Sequence, residues 1–193
     1  MPAKQLWLVV GGNGAGKSTF YRNRLAPLGI PFVNADLIAR ELFPEAPELH
    51  SYKAMQIVEE MRDNLLVEGR SFCYETVFSH PSKVDFVGKA KALGYEVILV
   101  MVHLELTELN KARVAQRVEE GGHDVPDDKI EARIPRLLRL VKAVIPLCDH
   151  AYLLDNSLAD NPFVPVLTMH HGQIEKTLDD LPLPDWARQL TDL

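Results

Sequence analysis

At 193 residues, with 47% hydrophobic and 25% charged content, the chain has an ordinary globular composition and enough length for a sizeable core. Its formal net charge of −6 disfavours broad binding to nucleic acid or to an anionic membrane. No apolar stretch approaches the roughly 18–20 residues of a membrane span, and Cys73 and Cys148 stand in no metal spacing, so a reduced, cytoplasmic chain is expected.

The chain begins with Pro2 and Lys4 before a short apolar run, which does not read as a signal peptide. That run, Leu6–Val10, is the first expected strand. It leads into Gly11-Gly12-Asn13-Gly14-Ala15-Gly16-Lys17-Ser18-Thr19, with a helix expected from about Lys17. Strand, Gly-x-x-x-x-Gly-Lys-Ser, then helix is the context of a phosphate-binding P-loop. Glycines let successive N–H groups curl round a phosphate. Lys17 can then reach the β- and γ-phosphates, and the Ser18 hydroxyl can coordinate Mg²⁺. Gly12, Asn13, Gly14, Ala15, Gly16, Lys17, Ser18 and Thr19 are therefore the expected nucleotide-binding residues.

A second run, Ile30–Val33, ends in Asn34-Ala35-Asp36. A carboxylate there can take the proton of an attacking hydroxyl or hold Mg²⁺ through water; it can equally cap a helix over Leu37–Leu42. Residues 50–68 carry Ala54, Ile57, Val58, Met61 and Leu65 on one helical face. The third run, Ser71–Tyr74, is followed at once by Glu75 and Thr76, which are expected to face the same cleft as substrate or metal contacts, or to cap the strand end.

Next come a helix from Ser82 to Leu93, stopped by Gly94, and a strand over Tyr95–His103. Thr107 is expected to cap a helix running to Gly121-Gly122, and a further helix begins at Pro126-Asp127-Asp128 with Ile130, Ile134, Leu137, Leu138 and Val141 on one side. Pro135 predicts a kink or break in it. Ala151–Leu154 is the last core strand. In the tail, Phe163–Met169 reads as a short extra strand and Trp186–Leu190 as a docking turn, a segment with no functional reading of its own.

The two helices at about 107–145 carry many cations. Arg113 and Arg117 lie four residues apart, and Arg133 and Arg136 three apart, on either side of the Gly-Gly pair. This pattern predicts a lid that closes arginines onto a transferring phosphoryl group and excludes water. Arg139 and Lys142 read as surface residues, and His123 either as a phosphate contact or as an exposed loop residue. The alternation of strands and helices predicts one α/β domain over residues 1–193, a three-layer P-loop fold with a mostly parallel sheet of about five strands, helices on both faces and a helical lid.

Together the P-loop, Val33-Asn34-Ala35-Asp36, Tyr74-Glu75-Thr76-Val77, Ala90-Lys91-Ala92-Leu93-Gly94-Tyr95, Arg113-x3-Arg117, Gly121-Gly122-His123-Asp124-Val125-Pro126 and Leu154-Asp155-Asn156-Ser157 resemble the small zeta-toxin-like ATPases and kinases. The resemblance spans about residues 6–157. It implies a fold like that of nucleoside monophosphate kinases, ATP with Mg²⁺, and transfer of the γ-phosphoryl group to a hydroxyl. UDP-N-acetylglucosamine is the acceptor of the larger zeta toxins.

In that pattern Lys17 and Ser18 match the phosphate and metal residues, Asp36 the catalytic base, and Glu75 and Thr76 the substrate-side strand end. Arg117 matches the γ-phosphate clamp, with Arg133 or Arg136 as a second arginine, and Asn156 falls where a loop approaches adenine. The chain is shorter than the large toxins and shows no separate sugar-binding insertion. An antitoxin protein is a partner the resemblance allows, and nucleic acid and membrane are not expected partners. The alternatives are a nucleotide switch that performs no transfer and a kinase of RNA ends or tRNA.

Overall fold

The structure is a computed structural model and describes residues 4–45, 50–177 and 182–191. Its strands are β1 (Gln5–Val10), β2 (Phe32–Val33), β3 (Phe72–Thr76), β4 (Glu96–His103), β5 (His150–Asp155), β6 (Val164–His170) and β7 (Gln173–Thr177). Its helices are α1 (Lys17–Phe20), α2 (Ala35–Leu42), α3 (Ser51–Val67), α4 (Ser82–Ala92), α5 (Thr107–Glu119), α6 (Asp127–Val144) and α7 (Asp185–Arg188). The strands form one sheet in the order β2-β3-β1-β4-β5-β6-β7.

β2 to β5 run parallel, and β6 and β7 extend the sheet antiparallel. Parallel strands are covered on both faces, which is why β1 and β4 are near-continuous apolar runs. One cluster on one face joins Leu6, Leu8, Val10, Leu99 and Met101 to Phe86, Leu137 and Val141. The other face packs Val9, Val100 and Val102 against Phe20 and Leu25.

The sheet has seven strands, not about five. β6 occupies the segment expected as an extra strand. β7 went unread because Gln173-Ile174-Glu175-Lys176-Thr177 shows no apolar run. It pairs with β6 through a two-residue turn, His171 at φ 46° and Gly172 at φ 74°, both positive, as in the turns whose geometry suits the right-handed twist of paired strands.

Other expectations shift. The helix after the P-loop has a single α turn before a π-helical stretch over Tyr21–Leu25. α5 is preceded by Leu106 without a side-chain cap, so Thr107 is its first helical residue rather than its cap. α6 runs unbroken through Pro135. The proline removes one N–H, and the carbonyl that loses it belongs to Glu131 on the solvent side of the helix. The tail docks: Trp186, Ala187 and Leu190 join the main core.

Candidate active site

The P-loop connects β1 to α1 at the carboxyl edge of the sheet, where ligands sit in open parallel folds. Two of its glycines are dictated by what lies behind them. Gly14 has φ +75°, and a Cβ there would stand 2.5 Å from the Asn110 carbonyl oxygen. Gly16 has φ +101°, and its Cβ would meet Asn156 Nδ2 at 2.4 Å. The loop is also held by side chains. Asn110 Nδ2 donates to Asn13 O at 2.6 Å, and Asn156 Nδ2 donates to Ala15 O at 2.8 Å.

Lys17 is buried and donates to the Gly12 carbonyl at 3.0 Å, with Glu75 Oε1 at 4.0 Å. Burial lowers its proton affinity, Glu75 and Asp36 oppose that, and Arg117 and Arg133 add to it. Four residues singled out from the sequence therefore lie within electrostatic reach of this one ammonium group. Ser18 Oγ donates to Glu75 Oε2 at 2.8 Å, so Glu75 bridges the two P-loop side chains.

Asp36 is exposed in the first turn of α2. The cap of that helix is Asn34, whose Oδ1 accepts from Leu37 N–H at 2.9 Å. The alternative reading of Asp36 as the cap is thereby corrected: Asn34 comes first and takes the bond, which leaves the Asp36 carboxylate open. Thr76 Oγ1 accepts from Phe78 N–H at 3.2 Å, and Phe78 sits in the left-handed region at φ 59°. Thr19 Oγ1 accepts from Arg22 at 3.3 Å on the exposed side of the helix.

The arginines divide. Arg133 Nη1 donates to Asn13 Oδ1 at 3.1 Å, whereas Arg136 is exposed and the P-loop contact from α6 belongs to Arg133. Arg113 Nη2 donates to Asn156 O at 2.9 Å. Arg117 Nη2 donates to His123 O at 2.5 Å, while its buried Nε has no hydrogen-bond partner among the described residues.

The Gly121-Gly122 pair ends α5 as a Schellman motif. Gly122 N–H bonds to Arg117 O at 2.8 Å, Gly121 N–H bonds to Val118 O at 2.9 Å, and Gly121 has φ +81°. Under this turn Val114, Val125 and Ile130 form an apolar cluster separate from the main core.

Asn156 stands beside the P-loop. Its side chain is buried, with Nδ2 on Ala15 O and Oδ1 accepting from Phe163 N–H at 3.3 Å, so it braces the P-loop from behind. Asn110 escaped the sequence reading altogether. The available signal was its place four residues before Val114 on the buried face of α5, where an amide demands a partner.

The chain belongs to the AAA domain family (AAA_33), which it matches over residues 6–140. It is 28% identical over 159 residues to a dephospho-CoA kinase of Pasteurella multocida, covering 74% of this chain and 72% of that protein. The structure of the AvrRxo1-ORF1:-ORF2 complex with ATP superposes with a TM-score of 0.70 at 17% identity, over 90% of this chain; the chain spans about 60% of that protein's length. The PezAT toxin–antitoxin system of Streptococcus pneumoniae gives a TM-score of 0.63 at 17% identity, covering 80% of this chain and 68% of that one. The fold is that of the zeta-toxin-like P-loop kinases.

Proposed function

We propose that the protein transfers the γ-phosphoryl group of ATP to a hydroxyl of a small molecule, with a nucleotide-activated sugar such as UDP-N-acetylglucosamine as the first acceptor to test. The observation that carries this reading is the contact of Glu75 with both Lys17, at 4.0 Å, and Ser18, at 2.8 Å, and of Arg133 with the Asn13 side chain, at 3.1 Å, with Asp36 and Arg117 within electrostatic reach of Lys17.

In this mechanism the P-loop N–H groups and Lys17 hold the phosphates. The acceptor oxygen attacks the γ-phosphorus as its proton passes to Asp36, the bond to the β-γ bridging oxygen breaks, and ADP leaves. Arg117 and Arg133 neutralise charge on the equatorial oxygens, so the lid helices act together with one P-loop unit. Ser18, with Glu75 and Asp36 acting through water, would hold Mg²⁺, an ion that keeps waters and takes phosphate ligands and so needs no cage of protein side chains. Magnesium, when bound there, supplies charge neutralisation across the phosphates.

Cys73 and Cys148, both buried and free, accord with action in a reducing cytoplasm. The complexes in which the AvrRxo1 and PezAT proteins occur make a protein partner part of this reading.

The test incubates the protein with ATP, Mg²⁺ and single acceptors, including UDP-N-acetylglucosamine, other nucleotide sugars and dephospho-CoA, and reads ADP and phosphorylated product by mass spectrometry. ADP formation that depends on one acceptor supports transfer. ADP formation equal with and without every acceptor points instead to a nucleotide switch.

A further inference from the structure

Two helices reach the same P-loop residue. Asn110 of α5 binds the Asn13 carbonyl, and Arg133 of α6 binds the Asn13 side chain. Asn13 is the one position of Gly11-Gly12-Asn13-Gly14-Ala15-Gly16 with a polar side chain, so no other residue of the loop could make the second contact. α6 also approaches the loop at Gly12, where an added Cβ would lie 3.7 Å from Ile134 Cγ1. The arginine is half-buried, not waving in solvent.

We infer that Asn13 is a positioning residue: its side chain parks Arg133 at the phosphate side of the P-loop before nucleotide arrives, and its peptide, fixed by Asn110, ties the roots of both lid helices to the loop. This rests on the kinase reading above. An arginine ordered in advance loses less conformational freedom when the γ-phosphate binds. An amide suits the task better than a carboxylate. It accepts one guanidinium N–H without placing a negative charge beside the phosphates, and it leaves the other donors of the fork for phosphate oxygens.

The test is a double-mutant cycle in the full chain with Asn13→Ala, Arg133→Ala and both. Dissociation constants are measured with Mg²⁺ for ADP and for a non-hydrolysable ATP analogue. Each single change is expected to weaken the analogue about tenfold, the double change no more than about twofold beyond the worse single, and ADP to move less than about threefold throughout. Losses that multiply in the double variant overturn the pairing. So does a matching loss of ADP affinity in Asn13→Ala, which would mean that Asn13 acts on the loop itself. A wild type that binds neither nucleotide would sink the kinase reading and this one with it; a wild type that binds both, with multiplying losses, sinks only the pairing.

Discussion

Two lysines show how differently charge is handled at the two ends of this sheet. Lys91, on α4, donates to both oxygens of Asp149, at 2.8 and 2.6 Å, and Asp149 Oδ2 also accepts from Val97 N–H at 2.7 Å. Burial alone would raise this carboxyl's proton affinity, yet the Lys91 and Val97 bonds hold it below the usual value. Lys17 is more deeply buried and has less: one carbonyl and a carboxylate at 4.0 Å. Around it Arg117 Nε and Asn110 Oδ1 are buried without hydrogen-bond partners among the described residues. The Lys91 corner is complete as it stands, whereas Lys17 and Arg117 are buried cations with fewer acceptors than they can use. Arg62 Nε on α3 and Trp186 Nε1 on α7 are also buried without a hydrogen-bond partner among the described residues, so the contrast rests on how the two lysines are paired.

The sharpest way to break that contrast is to remove each lysine. Lys17→Ala is expected to lower transfer by on the order of 10³–10⁵ and to weaken ATP binding while the fold survives; Arg117→Ala should fall on the same scale in turnover with a far smaller loss of nucleotide affinity. Lys91→Ala should leave both readouts near wild type. Steady-state ADP formation and calorimetric titration check all three, and full turnover in Lys17→Ala would end the P-loop assignment.

Next in size is Asp36→Asn, which keeps shape and removes the basic oxygen. Transfer should drop by roughly 10²–10⁴ with ATP binding nearly unchanged. A loss of binding without loss of rate at saturation would move Asp36 to a metal or structural role.

The structural side of the comparison is tested by pH. Burial lowers the pKa of His103 from 6.5 to about 4, with Asp155 opposing. The native imidazole stays neutral where the unfolded one charges. Between pH 6.5 and about 4 the unfolded chain therefore binds more protons, and stability falls as pH falls through that window, by on the order of 3 kcal/mol in total. Urea unfolding across pH 7 to 4 measures this, and His103→Gln should flatten the slope.

The smallest effect belongs to the saturated corner. Asp149→Asn should cost about 1–3 kcal/mol of unfolding free energy and leave nucleotide affinity unchanged. A change in affinity there would erase the distinction between the two ends.

Most of the candidate site was legible because its residues cluster in sequence at the carboxyl ends of strands, where the topology of a parallel sheet gathers them: Lys17 after β1, Asp36 after β2, Glu75 at the end of β3. The braces were not legible, because they act across great separations. Asn110 and Asn156 reach the P-loop from 97 and 141 residues away, and nothing in local periodicity records such a contact. β7 and the π-helical turn after α1 failed for a related reason. An edge strand needs no apolar pattern, and a helix's hydrogen-bond register responds to packing that the sequence window does not contain.

Trp186 lies against His103 with ring centroids 4.6 Å apart, and its indole is buried. The other of the two tryptophans, Trp7, sits in β1 and is only half-buried. The pair therefore gives the protein two optical reporters in different surroundings. Protonation of the imidazole beside Trp186 introduces a quencher at contact range, so the emission of this indole is sensitive to the charge on His103. Because α7 holds that indole in the core, the same signal reports whether the tail is still seated.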